Sequence, residues 1–413
     1  MPHISLLRCG FRADCIAEFT CPMRKAAATI MDTNMISRRG KDLLYLFVFF
    51  AIATFGIAAQ MAPTPAPAVQ TRPLTIPPGA NLNDPQVLLS YAASINGLEV
   101  ADDDAVTGAP KLTPWYLKAA YETFDDAGNA LGSGVFEEWH VSSDQWNRRY
   151  AGTRFTQTEY KTAAGHFYQT DAGGAPWPDS LIEQELVHPM PAKRDTEETV
   201  PGLHDRAFGK LKLNCIMFSQ QDVRPGHSTQ WPLGLFPTYC FEKDTARLRF
   251  GLFDGSIGAT FNKMAIFEGR YIAKEVELTD DARTLLRIHI QTLRSMPASE
   301  AAAMMPPATA KSADLKNVSV ASGIMTGNKL RGAEVRYPQE AKQNHIEGKV
   351  VLKAMIGTDG RIHQLRVVSS PDPTLSISSL AAVERWVYKP YTLNGAPVNV
   401  ETTINVVYKL GPF

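Results

Sequence analysis

The chain has 413 residues, more than one ordinary hydrophobic core organises, so two or three folded units are expected. Lysine plus arginine and aspartate plus glutamate number 42 each, and the pI is near 7.1; that balance excludes the cationic field on which bulk nucleic-acid binding depends, and no nucleic-acid partner is expected. Hydrophobic residues make up 44% and charged residues 20%, which puts the chain among globular proteins.

Residues 1–34 fit neither a domain nor a signal n-region, and we read them as unstructured or as lying upstream of a true start at Met31 or Met35. Residues 35–60 form a signal anchor or signal peptide. The run 43–59 reads LLYLFVFFAIATFGIAA, without charge, behind Arg38, Arg39 and Lys41. Its 17 residues fall between a signal-peptide core of roughly 7 to 15 and the roughly 20 of a spanning helix. Two localisations follow. One is a single N-terminal helix in the cell inner membrane with the bulk of the chain in the periplasm; the other is a soluble periplasmic protein, cleaved near Ala58 and Ala59. The basic flank keeps the N-terminus inside in both.

Residues 61–85 are a Pro-rich linker, with Pro63, Pro65, Pro67, Pro73, Pro77, Pro78 and Pro85 favouring an extended spacer. A β-rich unit is expected over 86–295. It opens with a helix from Pro85 to Ile95, capped by Asp84. Period-two alternation then marks strands at 115–124 and 135–141, separated by a DDAGN turn, with more strands to about 169. A short helix over 179–187 follows. Further alternation at 247–252, 271–278 and 286–290 gives a second antiparallel meander, because the connections are short. Cys215 and Cys240, each in a strand-like run, are expected to form a disulfide in an oxidising compartment. A zinc site with His204 or His227 is the competing reading, although neither histidine has the close paired spacing of a metal site.

The order of helix, meander, helix and second meander weakly resembles the open half-barrels of LolA- and LolB-type lipoprotein carriers. That resemblance implies an antiparallel sheet curled round an apolar interior, and an alternative function as periplasmic carrier of a hydrophobic ligand or lipoprotein. Residues 296–326, with Pro306 and Pro307 among alanines, read as a second linker.

The final unit, 327–413, carries the most specific pattern. Tyr337 and Pro338 open a short helical stretch; strands over 349–356 and 361–369 flank a Gly-Thr-Asp-Gly turn; a helix reaches Val383; and a last strand alternates through Val400, Thr402, Ile404, Val406 and Tyr408. Both units together make the chain α+β. The sequence of YPxxA (337–341), EGKVVLKAMIGTDGRI (347–362), AVERWVYKP (382–390) and NGAPV (394–398) resembles the C-terminal domain of TonB-family energy transducers. In that family the domain binds an outer-membrane TonB-dependent transporter by strand addition. The resemblance implies a docking edge at Asn399, Val400, Glu401, Thr402, Thr403, Ile404, Asn405, Val406, Val407 and Tyr408, with Tyr337 and Pro338 contacting or orienting the incoming segment. The alternative is that this strand only completes its sheet. Ile404→Pro or Val406→Pro is expected to remove ladder donors and abolish capture.

Family members driven by the ExbB and ExbD motor carry a histidine, often with a serine, in the membrane helix; residues 43–59 contain neither. This departure bears on partnership with ExbB and ExbD and on proton-motive coupling. We find no HExxH, GxSxG or GxxxxGK motif, and expect neither enzymatic activity nor a cofactor or metal.

Overall fold

The computed structural model describes residues 75–76, 78–99, 112–125, 127–171, 175–191, 200–219, 231–254, 257–280, 283–302, 305–313, 317–393 and 396–411. The expected anchor, the residues before it and most of the first Pro-rich linker lie outside that set, as does His227. Among the described residues, no helix is long and apolar enough to cross a membrane.

Helix α1 (Pro85–Ile95) begins where the sequence puts it: the Asp84 carboxylate accepts from the backbone N–H of Gln86 and Val87 at 2.8 and 3.1 Å. At its other end buried Asn96 ties the helix to the sheet, donating to Ala92 and Ala246 carbonyls and accepting from Leu248 N–H. Five strands follow: β1 (Trp115–Phe124), β2 (Ala130–Ser142), β3 (Gln145–Gly152), β4 (Thr156–Thr162) and β5 (Gly165–Thr170). A single 3-10 turn (Asp179–Leu181) runs into α2 (Ile182–Val187). The second set is β6 (Val200–Phe208), β7 (Leu211–Ser219), β8 (Thr238–Glu242), β9 (Leu248–Asp254), β10 (Ile257–Phe267), β11 (Arg270–Asp280) and β12 (Arg283–Ser295).

The two meanders are one sheet. β1 pairs with β2 on one side and with β12 on the other, from Trp115↔Ser295 to Thr123↔Leu286. The chain therefore starts mid-sheet, runs out to β5, crosses by α2 to the opposite margin at β6, and meanders back to close on β1. One face packs on α1 and α2: Leu88, Ala92 and Ile95 from the first helix and Ile182, Leu186 and Val187 from the second join Trp115, Leu117, Phe136, Phe261 and Ile288 in a single core.

The stretch read as a second linker carries its own elements: α3 (Ala298–Ala302), β13 (Lys311–Ser312), β14 (Asn317–Ser319) and α4 (Ser322–Gly327). β13 adds to β5 as the thirteenth strand of the large sheet. The C-terminal unit contributes β15 (Lys329–Arg331), α5 (Gln339–Gln343), β16 (Gly348–Ile356), β17 (Ile362–Ser369), α6 (Pro373–Val383), β18 (Val387–Tyr388), β19 (Thr392–Leu393), β20 (Ala396–Pro397) and β21 (Asn399–Tyr408). Its main sheet has the order β14-β21-β16-β17. Gly360, at the β16–β17 turn, has φ +76° and lies so close to the Tyr388 carbonyl that a Cβ would collide with it, so the turn requires glycine on both counts. Asp372 caps α6 by accepting from Thr374 N–H at 2.8 Å.

The two units share a core. Met217, Leu235 and Phe236 of the middle unit are buried with Val350, Leu352, Leu375, Val400 and Ile404. The Trp177 ring also lies 5.4 Å from that of His363. Trp115 is fully buried, whereas Trp177 and Trp231 serve the contact between units.

Candidate docking edge

β21 is a strand because its inward positions are apolar or β-branched at period two and its outward positions are polar or short. Val400, Thr402, Ile404, Val406 and Tyr408 are buried, while Thr403, Asn405 and Val407 are exposed and Asn399 and Glu401 intermediate. Its inner margin is fully used: it pairs antiparallel with β16 from Val400↔Ile356 to Tyr408↔Gly348.

The far end of the strand is fastened by hydroxyl contacts. Tyr408 Oη lies 2.9 Å from Ser379 Oγ and donates to the Leu375 carbonyl at 3.2 Å. The Tyr337 ring packs edge-on against Tyr408 at 5.2 Å, and its hydroxyl donates to the Ile346 carbonyl at 2.6 Å. Pro338 is the N-cap residue of α5. Tyr337 thus holds the entry of α5 against the end of β21, a structural duty at the candidate site.

The outer margin is divided. Over its first three residues β21 is covered by β14, which runs parallel with Asn317↔Asn399, Val318↔Val400 and Ser319↔Glu401. Val320 N–H then donates to the Glu401 carbonyl at 3.0 Å, and the Val320 carbonyl accepts from Thr402 Oγ1 at 2.7 Å. Beyond this point no described strand lies outside Thr403 to Tyr408. A groove of about 310 Å³ opens where β14 stops, lined by Ser319, Val320, Ala321, Ser322, Lys353, Glu401, Thr402 and Thr403. Lys353 and Glu401 bridge its floor at 3.0 Å.

The Glu401 carbonyl points to the outer margin, and backbone groups alternate sides along a strand, so the outward N–H and C=O groups that no described strand pairs belong to Thr403, Asn405 and Val407. Ile404 and Val406 point theirs at β16. The proline substitutions chosen from sequence therefore strike the wrong ladder: they would break the sheet, whereas Asn405→Pro addresses the edge. Period-two patterning gives the faces of a strand but not which margin is free. The sequence reading also missed residues 317–320, because three paired residues are too short a stretch for alternation to register.

The middle unit holds the other concentration of polar groups. The Arg148 guanidinium, buried, reaches Glu138 and Glu183 at 2.9 Å each and lies 4.3 Å over the Trp146 ring. Buried His140 stacks on Trp115 at 4.6 Å and meets Glu138 at 3.3 Å. His188, just past α2, bridges Glu183 at 3.1 Å and Glu99 at 3.3 Å. His166 meets Glu159 at 3.2 Å. Burial alone would raise Glu183, but Arg148 and His188 outweigh it and hold it at about 2. Burial works to lower His188, and its two carboxylate partners raise it instead. Glu99 is raised, chiefly by burial. Each charge in this cluster faces an opposite partner, an arrangement that pins α2 and its flanks to β2, β3 and β4. A cleft beside it, lined by Asn96, Glu185, Leu248, Phe261 and Tyr271 among others, encloses only about 10 Å³.

Cys215 and Cys240 face each other across β7 and β8, and their sulfurs are bonded at 2.03 Å. Neither is therefore available to zinc. His204 sits opposite Cys215 on β6, its pKa lowered by burial.

Residues 333–410 match the family described as the Gram-negative bacterial TonB protein C-terminal domain. The C-terminal unit is thus a TonB C-terminal domain. Among curated relatives, the Protein TonB of Vibrio cholerae serotype O1 is 34% identical over 76 residues, 18% of this chain and 31% of that protein. The chain therefore spans about a third of that relative's length. Among solved structures, the solution structure of the Pseudomonas aeruginosa TonB C-terminal domain is 28% identical, covers 21% of this chain and 87% of its own, and has a TM-score of 0.19. A LolA superfamily protein from Nitrosomonas europaea is 7% identical, covers 52% of this chain and 96% of its own, and has a TM-score of 0.35.

Proposed function

We propose that this TonB-like protein works in the bacterial envelope, where the outer margin of β21 takes up an extended segment of an outer-membrane TonB-dependent transporter. The observation carrying this reading is the row of backbone groups at Thr403, Asn405 and Val407, which no described strand pairs. Such a margin supplies main-chain hydrogen bonds to a partner and asks little of its side chains. Anchoring by residues 43–59 in the inner membrane would set the two partners on opposite sides of the periplasm and let tension pass along the chain. Engagement of ExbB and ExbD, and with it the energy transduction, stays with this proposal; the segment concerned lacks the expected histidine.

A photo-crosslinker placed at Thr403, Asn405 or Val407 in intact cells tests the reading. Capture of a transporter segment from these positions, and not from Lys349 on the neighbouring strand, is expected. Recovery of only the chain's own peptides sinks it.

A further inference from the structure

The linker that joins the two units also closes one edge of each sheet. Upstream, Lys311 and Ser312 pair with Tyr168 and Phe167 on β5, and Ala313 N–H donates to the His166 carbonyl at 2.8 Å. Downstream, β14 lies on the outer margin of β21, the bond from Val320 N–H to Glu401 continues that pairing, and α4 rests against the same strand with Met325 buried in the core. Residues 311–313 and 317–320 therefore act as a strap, held at one end by the middle unit and at the other by the docking edge.

Resting on the reading of β21 as that edge, we propose that Asn317–Val320 is an internal competitor: a piece of this chain that fills the head of the docking strand and has to leave before a partner can pair along all of Asn399–Tyr408. The pairing is short and contributes few hydrogen bonds. Its advantage is proximity, since a tether fixed on β5 only four residues earlier keeps β14 at high effective concentration beside β21. The groove at the end of β14 is where an incoming strand has room to begin displacing it. The middle unit thereby gains a hold on docking, because whatever loosens β13 from β5 lengthens the tether.

The test uses the full-length chain in detergent and a fluorescein-labelled peptide of residues 313–322 as the probe. Three proteins are compared: wild type, a released variant (Val318→Gly with Val320→Gly), and a locked variant (Ser319→Cys with Glu401→Cys, a register pair at the surface). The released variant is expected to bind the peptide at least about ten-fold more tightly than wild type, as loss of a tethered competitor demands. The oxidised locked variant is expected to bind none, with reductant restoring the wild-type level; wild type treated with the same reductant controls for the native disulfide. Should the released variant lose its far-UV circular dichroism, Val318→Pro takes its place, removing an N–H that alternation directs at β21 while leaving Val320 packed. Equal affinity across the proteins, or no binding to a folded released variant, overturns the proposal. Failure of transporter capture from Thr403, Asn405 or Val407 would instead sink the proposed function and leave the peptide result standing.

Discussion

The middle and C-terminal units bury their polar groups in opposite ways. In the middle unit, charges sit between helix and sheet: Arg148 faces Glu138, Glu159 and Glu183, and His188 joins Glu183 to Glu99. In the C-terminal unit the buried polar groups among the described residues are the helix cap Asp372 and hydroxyls such as those of Ser379 and Tyr408, and the main-chain groups of Thr403, Asn405 and Val407 lie on a margin that no described strand pairs. An ionic cluster in which each charge faces an opposite partner fixes one arrangement, since each member strands a partner if it moves. An open strand margin leaves pairing to be completed by something else. On the function proposed above, the first unit is the rigid one and the second the one that recognises a partner.

The sharpest way to break that contrast is Arg148→Met. If the cluster holds the middle unit together, uncompensated buried carboxylates should cost about 3–5 kcal/mol, read from chemical denaturation. A loss below about 1 kcal/mol would mean water reaches the carboxylates and the cluster is not structural. Next in size, replacing both Cys215 and Cys240 by alanine opens a loop with a sequence separation of 25 and should cost about 3 kcal/mol, on the chain-entropy account of disulfides.

In the C-terminal unit the comparison is between two neighbouring residues. Ile404→Pro should unfold the sheet by removing a donor from the β16 ladder, and Asn405→Pro should keep the circular dichroism of the wild type while abolishing capture. Equal damage from both would show that the outer margin is not free. The milder Asn405→Glu, on the exposed face, should shift stability by less than about 0.5 kcal/mol in the same denaturation assay.

A pH dependence confined to the middle unit tests the same cluster. His188 is raised above its ordinary 6.5, so its contribution is complete below that pH and is lost as pH rises through its folded value. Glu183 is lowered from 4.5 to about 2, so its contribution is present above 4.5 and is lost as pH falls toward 2. Stability from this pair should therefore be greatest between about 4.5 and 6.5, with Glu99, Glu138 and Arg148 as the charged neighbours. His188→Gln should flatten the alkaline limb and also shrink the acid one, because it removes one of the two groups that lower Glu183; denaturation midpoints across pH would show it, and an unchanged alkaline limb would remove His188 from the account.

Much of this architecture is written in local pattern. Asp84 before Pro85 sets the start of α1, the alternation of 115–124 and 399–408 gives β1 and β21 their buried faces, and Gly357 to Gly360 place a turn, all through contacts between residues close in the chain. The motifs of the last unit were specific enough to point to its family. Other features depend on which distant segments meet, and no short-range pattern encodes that. The closure of β1 on β12 joins residues some 170 positions apart, the Arg148 cluster draws on β2, β3, β4 and α2, and the strap lands on two different sheets. Sequence by itself determined what each strand would bury, because side chains alternate by covalent geometry; only the tertiary structure decided which backbone margin is left open, because that is a matter of which neighbours arrive.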